Sequence, residues 1–240
     1  MNTQHTYEKL ISLKLHGMAG RYKAIMDAPI HQQPEMHSLL ALLTEAEEEY
    51  RVQNRSDRYL RQSRLRYDAV IEQVNCSIDR GLSKEAFLKL CDNSYIKKGQ
   101  NILISGSTGC GKSFLACSLG RLACDHGYPC SFFPVNRLMD ELAAARLDGS
   151  YRKVLKKIER TPLIVLDDLG LKTLDLNSSL ALIEILDDRY KRGAVIVTSQ
   201  LPVDKWYELF DEATHADAFM DRLTANSHKI DLKGGSLRKG

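Results

Sequence analysis

A chain of 240 residues can form one core and a smaller appendage, and 43% hydrophobic with 27% charged residues is ordinary for a globular protein in water. No apolar run approaches a membrane span and the N-terminus has no signal-peptide core, while a formal charge of +3 is too small to argue for nucleic acid unless it is concentrated somewhere. Cys76, Cys91, Cys110, Cys117, Cys124 and Cys130 have no paired metal-ligand spacing, so the expectation is reduced thiols in the cytoplasm, with no membrane partner.

Residues 1–69 read as a small all-α region. Leu10, Leu13 and Met18 predict an amphipathic first helix, disturbed near Gly17 and Gly20 and ended near Pro29. A second helix starts at Pro34 and buries Leu39, Leu43, Ala46 and Tyr50, spaced by three or four. Its continuation carries Arg51, Arg55, Arg58, Arg61, Arg64 and Arg66, opposed within that stretch only by Asp57 and interleaved with Tyr59. Glu47 stands four residues before Arg51 and can pair with it. The run suits a solvated, charge-laced strut, and it equally suits a surface that follows DNA or RNA phosphates; both stay open on the sequence alone.

Residues 70–99 read as a connector with a helix over 84–90. From residue 100 onward strands alternate with helices: strands over 101–105, 130–134, 163–166, 194–198 and 229–232, and helices over 113–126, 137–147, 178–191, 204–209 and 216–226. That alternation predicts an α/β domain over 100–240, a five-stranded parallel sheet covered by helices on both faces. Cys117 and Cys124, seven apart, pack on one face of the helix over 113–126.

The chemistry begins at Gly106-Ser107-Thr108-Gly109-Cys110-Gly111-Lys112-Ser113, which fits G-x-x-x-x-G-K-[ST] at every fixed position, between a predicted strand and a predicted helix. Its glycines let several backbone N–H groups surround one anion at the positive end of the helix. Lys112 would reach the β- and γ-phosphates of a nucleoside triphosphate, and the Ser113 hydroxyl would coordinate Mg²⁺.

The second half of the site follows the apolar run 163–166. Asp167 and Asp168 would sit at the carboxyl end of a central strand, facing that loop. Asp167 would hold Mg²⁺ directly or through water, and Asp168 would polarise the attacking water. The carboxylate pair favours a hydrolase over a small-molecule kinase. Gln200, after the strand over 194–198, either senses the γ-phosphate and orients water or merely ends a strand. Arg222 would act from a second subunit, where such an arginine is worth roughly 10³–10⁵ in rate. A surface salt bridge is the other reading for Arg222 and for Arg238.

The loop, Asp167-Asp168-Leu169-Gly170, Thr198-Ser199-Gln200-Leu201-Pro202, Lys205-Trp206-Tyr207, Asp221-Arg222-Leu223 and the stretch from Leu232 to Lys239 recur together in one order. The series resembles the IstB-like proteins, ATP-binding helpers of insertion-sequence transposition, in the DnaC and DnaA branch of the AAA+ ATPases. The resemblance covers about residues 70–240 with specific motifs, and it covers the N-terminal helices only through their length and Leu- and Arg-rich pattern. It implies a Mg²⁺-binding role for Asp167, a catalytic role for Asp168, a first sensor at Gln200, a trans-acting arginine finger at Arg222 and a second sensor at Arg238. It also implies ATP and Mg²⁺ as cofactors, ATP sites between the subunits of a homo-oligomer, and duplex DNA and a transposase as partners. A DnaC-like helicase loader is the alternative. Ser107-Thr108 departs from the Pro-Pro common in that branch, and eight residues after Leu232 leave no room for a C-terminal helical lid.

Overall fold

The computed structural model describes residues 3–237. The chain divides into two compact units, residues 1–58 and 59–240. The helical region read over 1–69 therefore straddles the division. The stretch 70–99 contributes Leu82, Phe87, Leu90, Tyr95 and Ile96 to the core of the second unit.

The first unit holds α1 (Thr3–Ser12), α2 (His16–Met26) and most of α3 (Met36–Ser63), a 28-residue helix that runs across the division. The break between α1 and α2 falls at Lys14, in the left-handed region at φ 61°, and α2 runs through both Gly17 and Gly20. Gly17 serves packing instead: a β-carbon there would lie 2.3 Å from the Ala46 carbonyl oxygen on α3. The Glu47 carboxylate caps the start of α2, accepting from the N–H of Gly17 at 2.8 Å and of Met18 at 3.2 Å, while Arg51 Nε donates to its other oxygen at 2.7 Å. Burial pushes the Glu47 carboxyl up, but these hydrogen bonds outweigh it and hold the group below its ordinary value. Leu43 is buried as expected, whereas Tyr50 is 41% exposed, its ring resting beside His16.

Gly17→Ala tests this close approach. Alanine gains up to about 1 kcal/mol in helix propensity. The clash, however, is with a backbone carbonyl that cannot rotate away, and forcing helices apart costs about 1–3 kcal/mol. The expected result is faster amide hydrogen exchange along α2; unchanged protection would show that the approach carries no stability.

The second unit is built on β1 (Asn101–Gly106), β2 (Cys130–Pro134), β3 (Leu163–Leu169), β4 (Ala194–Ser199) and β5 (Ser227–Leu232). All pairings are parallel, in the order β2-β3-β4-β1-β5. Successive side chains of a strand point to opposite faces, which explains the continuous apolar runs in a sheet buried on both sides. Ile102, Ile104, Val165 and Ile196 pack with Leu115, Ala116 and Leu119 of α6 (Lys112–Asp125). Leu103, Ile164, Leu166, Val195 and Val197 face the other layer. That layer contains α7 (Val135–Leu147), α8 (Tyr151–Arg160), α9 (Leu176–Arg189) and α10 (Ala213–Thr224). In the connector, α4 (Lys84–Cys91) is capped by Ser83, whose hydroxyl accepts from the Ala86 N–H at 3.1 Å, and a single turn, α5 (Ser94–Lys97), follows.

Three elements differ from the sequence reading. Helix α8 had no counterpart there; Leu155 and Ile158 anchor it, leaving Arg152, Lys153, Lys156, Lys157 and Arg160 exposed. The helix expected over 204–209 is a 3-10 segment, Val203–Leu209, because Pro202 precedes it and Trp206 turns fully inward, donating its indole N–H to the Leu201 carbonyl at 3.0 Å. The strand expected from 229 begins at Ser227. Arg189 is a further feature: it is buried without a carboxylate partner. Its guanidinium donates to the carbonyls of Ile158, Thr161, Pro162 and Ala194, tying the end of α8 to the starts of β3 and β4, and burial pulls it down to about 10. No helix among the described residues is long and apolar enough to cross a membrane.

Candidate functional site

The loop from Gly106 to Gly111 joins the carboxyl end of β1 to the first turn of α6. Gly106, Gly109 and Gly111 take φ of 144°, 83° and 99°, values that exclude most side chains. At Gly106 space forbids one too, since a β-carbon there would lie 2.3 Å from the Leu232 carbonyl oxygen on β5. The first N–H groups of α6 have no partner within the helix, so the loop closes on a ready anion seat. Lys112 is only 6% exposed, and its ammonium donates to the carbonyls of Gly106 at 2.8 Å and Ser107 at 2.9 Å. One cation is thus held over the hollow where phosphate oxygens would enter. Cys110 is fully buried beneath the loop.

The two carboxylates owe their aim to a bulge. Leu166 pairs with Val197 and Leu169 with Ser199, so Asp167 and Asp168 together oppose the single residue Thr198. Asp168 is left-handed at φ 61°, a conformation uncommon outside glycine that aspartate adopts more readily than most residues. Asp167 is fully buried; the Thr198 hydroxyl donates to its Oδ1 at 2.6 Å and accepts from the Asp168 N–H at 3.0 Å. Thr198 therefore orients both acids, a role that sequence reasoning missed because the contact crosses 31 residues.

Arg66, read from the sequence only as part of the arginine run, stands beside the two acids. Its Nη1 lies 3.4 Å from Asp167 Oδ2 and 3.3 Å from Asp168 Oδ2, and its guanidinium lies 5.5 Å from the Tyr67 ring centre. Burial opposes its charge, but Tyr67 and the two acids more than offset that and raise it above the ordinary value. Gln200 Oε1 accepts from the Thr108 hydroxyl at 2.8 Å, tying the end of β4 to the loop.

These groups surround one cavity of about 420 Å³. Its lining includes the polar and charged residues Lys112, Ser113, Asp168, Gln200 and Arg66 and, beside them, Tyr67, Val74, Asn75, Leu82 and Leu237. A lining that mixes phosphate-binding groups with apolar and amide side chains suits a nucleotide whose phosphates rest on the loop. Arg80 ties the loop to the segment around Asn75, donating to the carbonyls of Cys110 at 2.7 Å and Asn75 at 2.9 Å. The exit from β5 crosses the loop, with Ser107 Oγ donating to the Gly234 carbonyl at 3.1 Å and Leu237 N–H to the Gly109 carbonyl at 2.9 Å. The sequence offered no signal for these wall residues, which reach the loop through a small hairpin closed at Ser77 and Leu82.

The donors fit Mg²⁺. Asp167 presents one oxygen to a cation already, the Arg66 guanidinium, and Ser113, which lines the cavity, adds a hydroxyl. Among the described residues no cluster of three or more His, Cys, Asp or Glu could hold a metal alone. That suits an ion that takes most of its ligands from water and substrate phosphates.

Other expected residues lie elsewhere. Arg222, near the end of α10, is ion-paired with Asp187 of α9 and donates to the Ala218 carbonyl at 3.0 Å. Its backbone carbonyl neighbours the Asn101 amide at the start of β1, the end of that strand opposite the loop, so Arg222 does not reach the site of its own chain. Arg238 lies outside the described residues. Of the arginine run, Arg51, Arg55 and Arg58 belong to the first unit and Arg61, Arg64 and Arg66 to the second, with Arg51 engaged by Glu47 and Arg66 by the two acids.

A family model described as IstB-like ATP binding protein matches residues 8–240. The chain is 40% identical over 234 residues to the insertion sequence ATP-binding protein y4pL of Sinorhizobium fredii, covering 98% of this chain and 96% of that one. Among solved structures it is similar in fold to DnaI, with TM-score 0.60 and 20% identity over 74% of this chain and 94% of that one. It is likewise similar to the DnaC helicase loader, with TM-score 0.58 and 20% identity over 73% of this chain and 99% of that one.

Proposed function

The chain belongs to the IstB-like ATP-binding protein family, and from that premise we propose an ATPase that assembles on duplex DNA and assists the transposase of an insertion sequence. The observation that carries the ATPase reading is the convergence of Lys112, Ser113, Asp168 and Gln200 on one cavity, with Asp167 held rigidly behind them by Thr198. On binding, Lys112 exchanges the loop carbonyls for the β- and γ-phosphates, and the loop N–H groups take the remaining oxygens. Mg²⁺, seated by Ser113 and Asp167, would neutralise phosphate charge. Asp168 takes the proton side of the attacking water, and Gln200, fixed to Thr108, reads the γ-phosphate position. Arg222 of a neighbouring subunit completes the site, so hydrolysis requires assembly.

For DNA, the arginine run is a weaker support than α8. Arg51 and Arg66 already serve carboxylates, whereas α8 presents Arg152, Lys153, Lys156, Lys157 and Arg160 along one exposed face. Positions separated by four lie about 6 Å apart along a helix, so two rows of cations run side by side. Replacing Arg152, Lys153, Lys156 and Lys157 with glutamine should weaken ATP-dependent binding to a random-sequence duplex and reduce the log–log salt slope by roughly 3–4, about 0.9 for each phosphate that is no longer neutralised. An unchanged slope would remove α8 from the interface. Failure of the unsubstituted protein to bind duplex at moderate salt would favour a helicase-loader role instead, the reading that its fold likeness to the DnaC helicase loader suggests.

A further inference from the structure

We propose that Arg66 is the resident cation of the Mg²⁺ seat in the empty protein, and that it gives up the carboxylates and turns to the nucleotide phosphates when Mg²⁺–ATP enters. The inference rests on the ATP-site reading above and adds a regulatory step to it. Asp167 is fully buried, and its Oδ1 is already committed to the Thr198 hydroxyl. Its Oδ2 is the oxygen left for a cation, and it is the one that Arg66 faces at 3.4 Å. The same guanidinium nitrogen is 3.3 Å from Asp168 Oδ2, so one cation bridges both acids. A buried carboxylate without a cation would be costly, which gives the empty site a reason to hold one.

Mg²⁺ and a guanidinium cannot share that oxygen at close range without strong repulsion, because both are cations in a partly dehydrated pocket. Arg66 can leave. Both contacts are longer than a tight charge-assisted hydrogen bond, and its side chain is 43% exposed. A destination is at hand, since Arg66 lines the same cavity as Lys112 and Gln200. A planar fork suits phosphate oxygens as well as carboxylates. The exchange would also reach the backbone: α3 ends at Ser63, Arg64 is left-handed at φ 56°, and Leu65 packs against Gly120 of α6, so Arg66 hangs on a short, fixed exit from that helix. Nucleotide state would thereby be felt at the end of α3.

The test is ATP binding by calorimetry on the full chain, in a Mg²⁺ series and in the presence of a chelator. For Arg66→Ala the half-saturating Mg²⁺ concentration for nucleotide loading is expected to fall roughly two- to fivefold, the range for a partly exposed ion pair removed from competition. Metal-free ATP should bind several-fold more weakly, because the two carboxylates then face the phosphates with no cation between them. Arg66→Lys, which keeps the charge without the fork, should remain near the parent in Mg²⁺ requirement. Arg66→Gln replaces the alanine variant should that fail to fold. An unchanged or raised Mg²⁺ requirement overturns the proposal. Equal weakening with and without metal overturns it as well, since that is the mark of a merely structural residue. Absence of ATP binding by the unsubstituted chain is a different failure, which sinks the ATP-site reading itself and this step with it.

Discussion

Lys112→Ala is expected to lose ATP affinity by about 100-fold or more, and with it any ATP-dependent assembly. That magnitude follows from two charge-assisted hydrogen bonds to phosphate at about 1.5–3 kcal/mol each. The bonds that Lys112 makes to the loop predict a second, smaller effect. The ammonium satisfies the Gly106 and Ser107 carbonyls at 2.8 and 2.9 Å, and the variant would leave both without that donor. A stability loss of about 1–3 kcal/mol should therefore appear before any nucleotide is added. Calorimetry reads the affinity, thermal unfolding of the nucleotide-free protein reads the stability, and light scattering with ATP reads the assembly. Assembly in ATP equal to the parent would show that the loop does not control it.

The loop was legible in the sequence because its determinants are local: fixed glycine spacing, an apolar strand before it and a helix after it. The sheet was legible for a related reason, since strands buried on both faces read as unbroken apolar runs. Asp167 and Asp168 were recognisable as acids ending such a run. Their bulge against Thr198 was not, because one extra residue in a pairing leaves no mark on either strand alone. Arg66 shows the limit most plainly. Counted in one run with Arg51 through Arg64, it lies beyond the end of α3 at Ser63, and its partners are 101 and 102 residues away. Helix α8 escaped because its ten residues, Tyr-Arg-Lys-Val-Leu-Lys-Lys-Ile-Glu-Arg, are mostly charged, and only burial of Leu155 and Ile158 against the sheet layer makes it a fixed element.

Arg222→Ala should keep ATP affinity and lose turnover by roughly 10³-fold or more, the range for an arginine supplied in trans. Within one chain Arg222 rests on Asp187, both side chains being partly exposed at 31% and 47%. Such a pair is worth about 0–1 kcal/mol, little enough for an incoming γ-phosphate to displace it. The same observation also fits a plain surface salt bridge, and magnitude separates the two: losing the pair alone would barely move hydrolysis. A mixing experiment adds geometry to magnitude. Lys112→Ala has an intact Arg222 but a defective loop, and Arg222→Ala has the reverse. If the arginine acts across a subunit boundary, each variant is inactive alone. Their mixture should regain part of the activity wherever an intact loop meets an intact arginine. Asp187→Ala serves as the control, since it removes the resting partner and leaves the finger, and its turnover should stay near that of the parent. Turnover by Arg222→Ala close to the parent's, or no recovery in the mixture, would return Arg222 to the role of Asp187's surface partner.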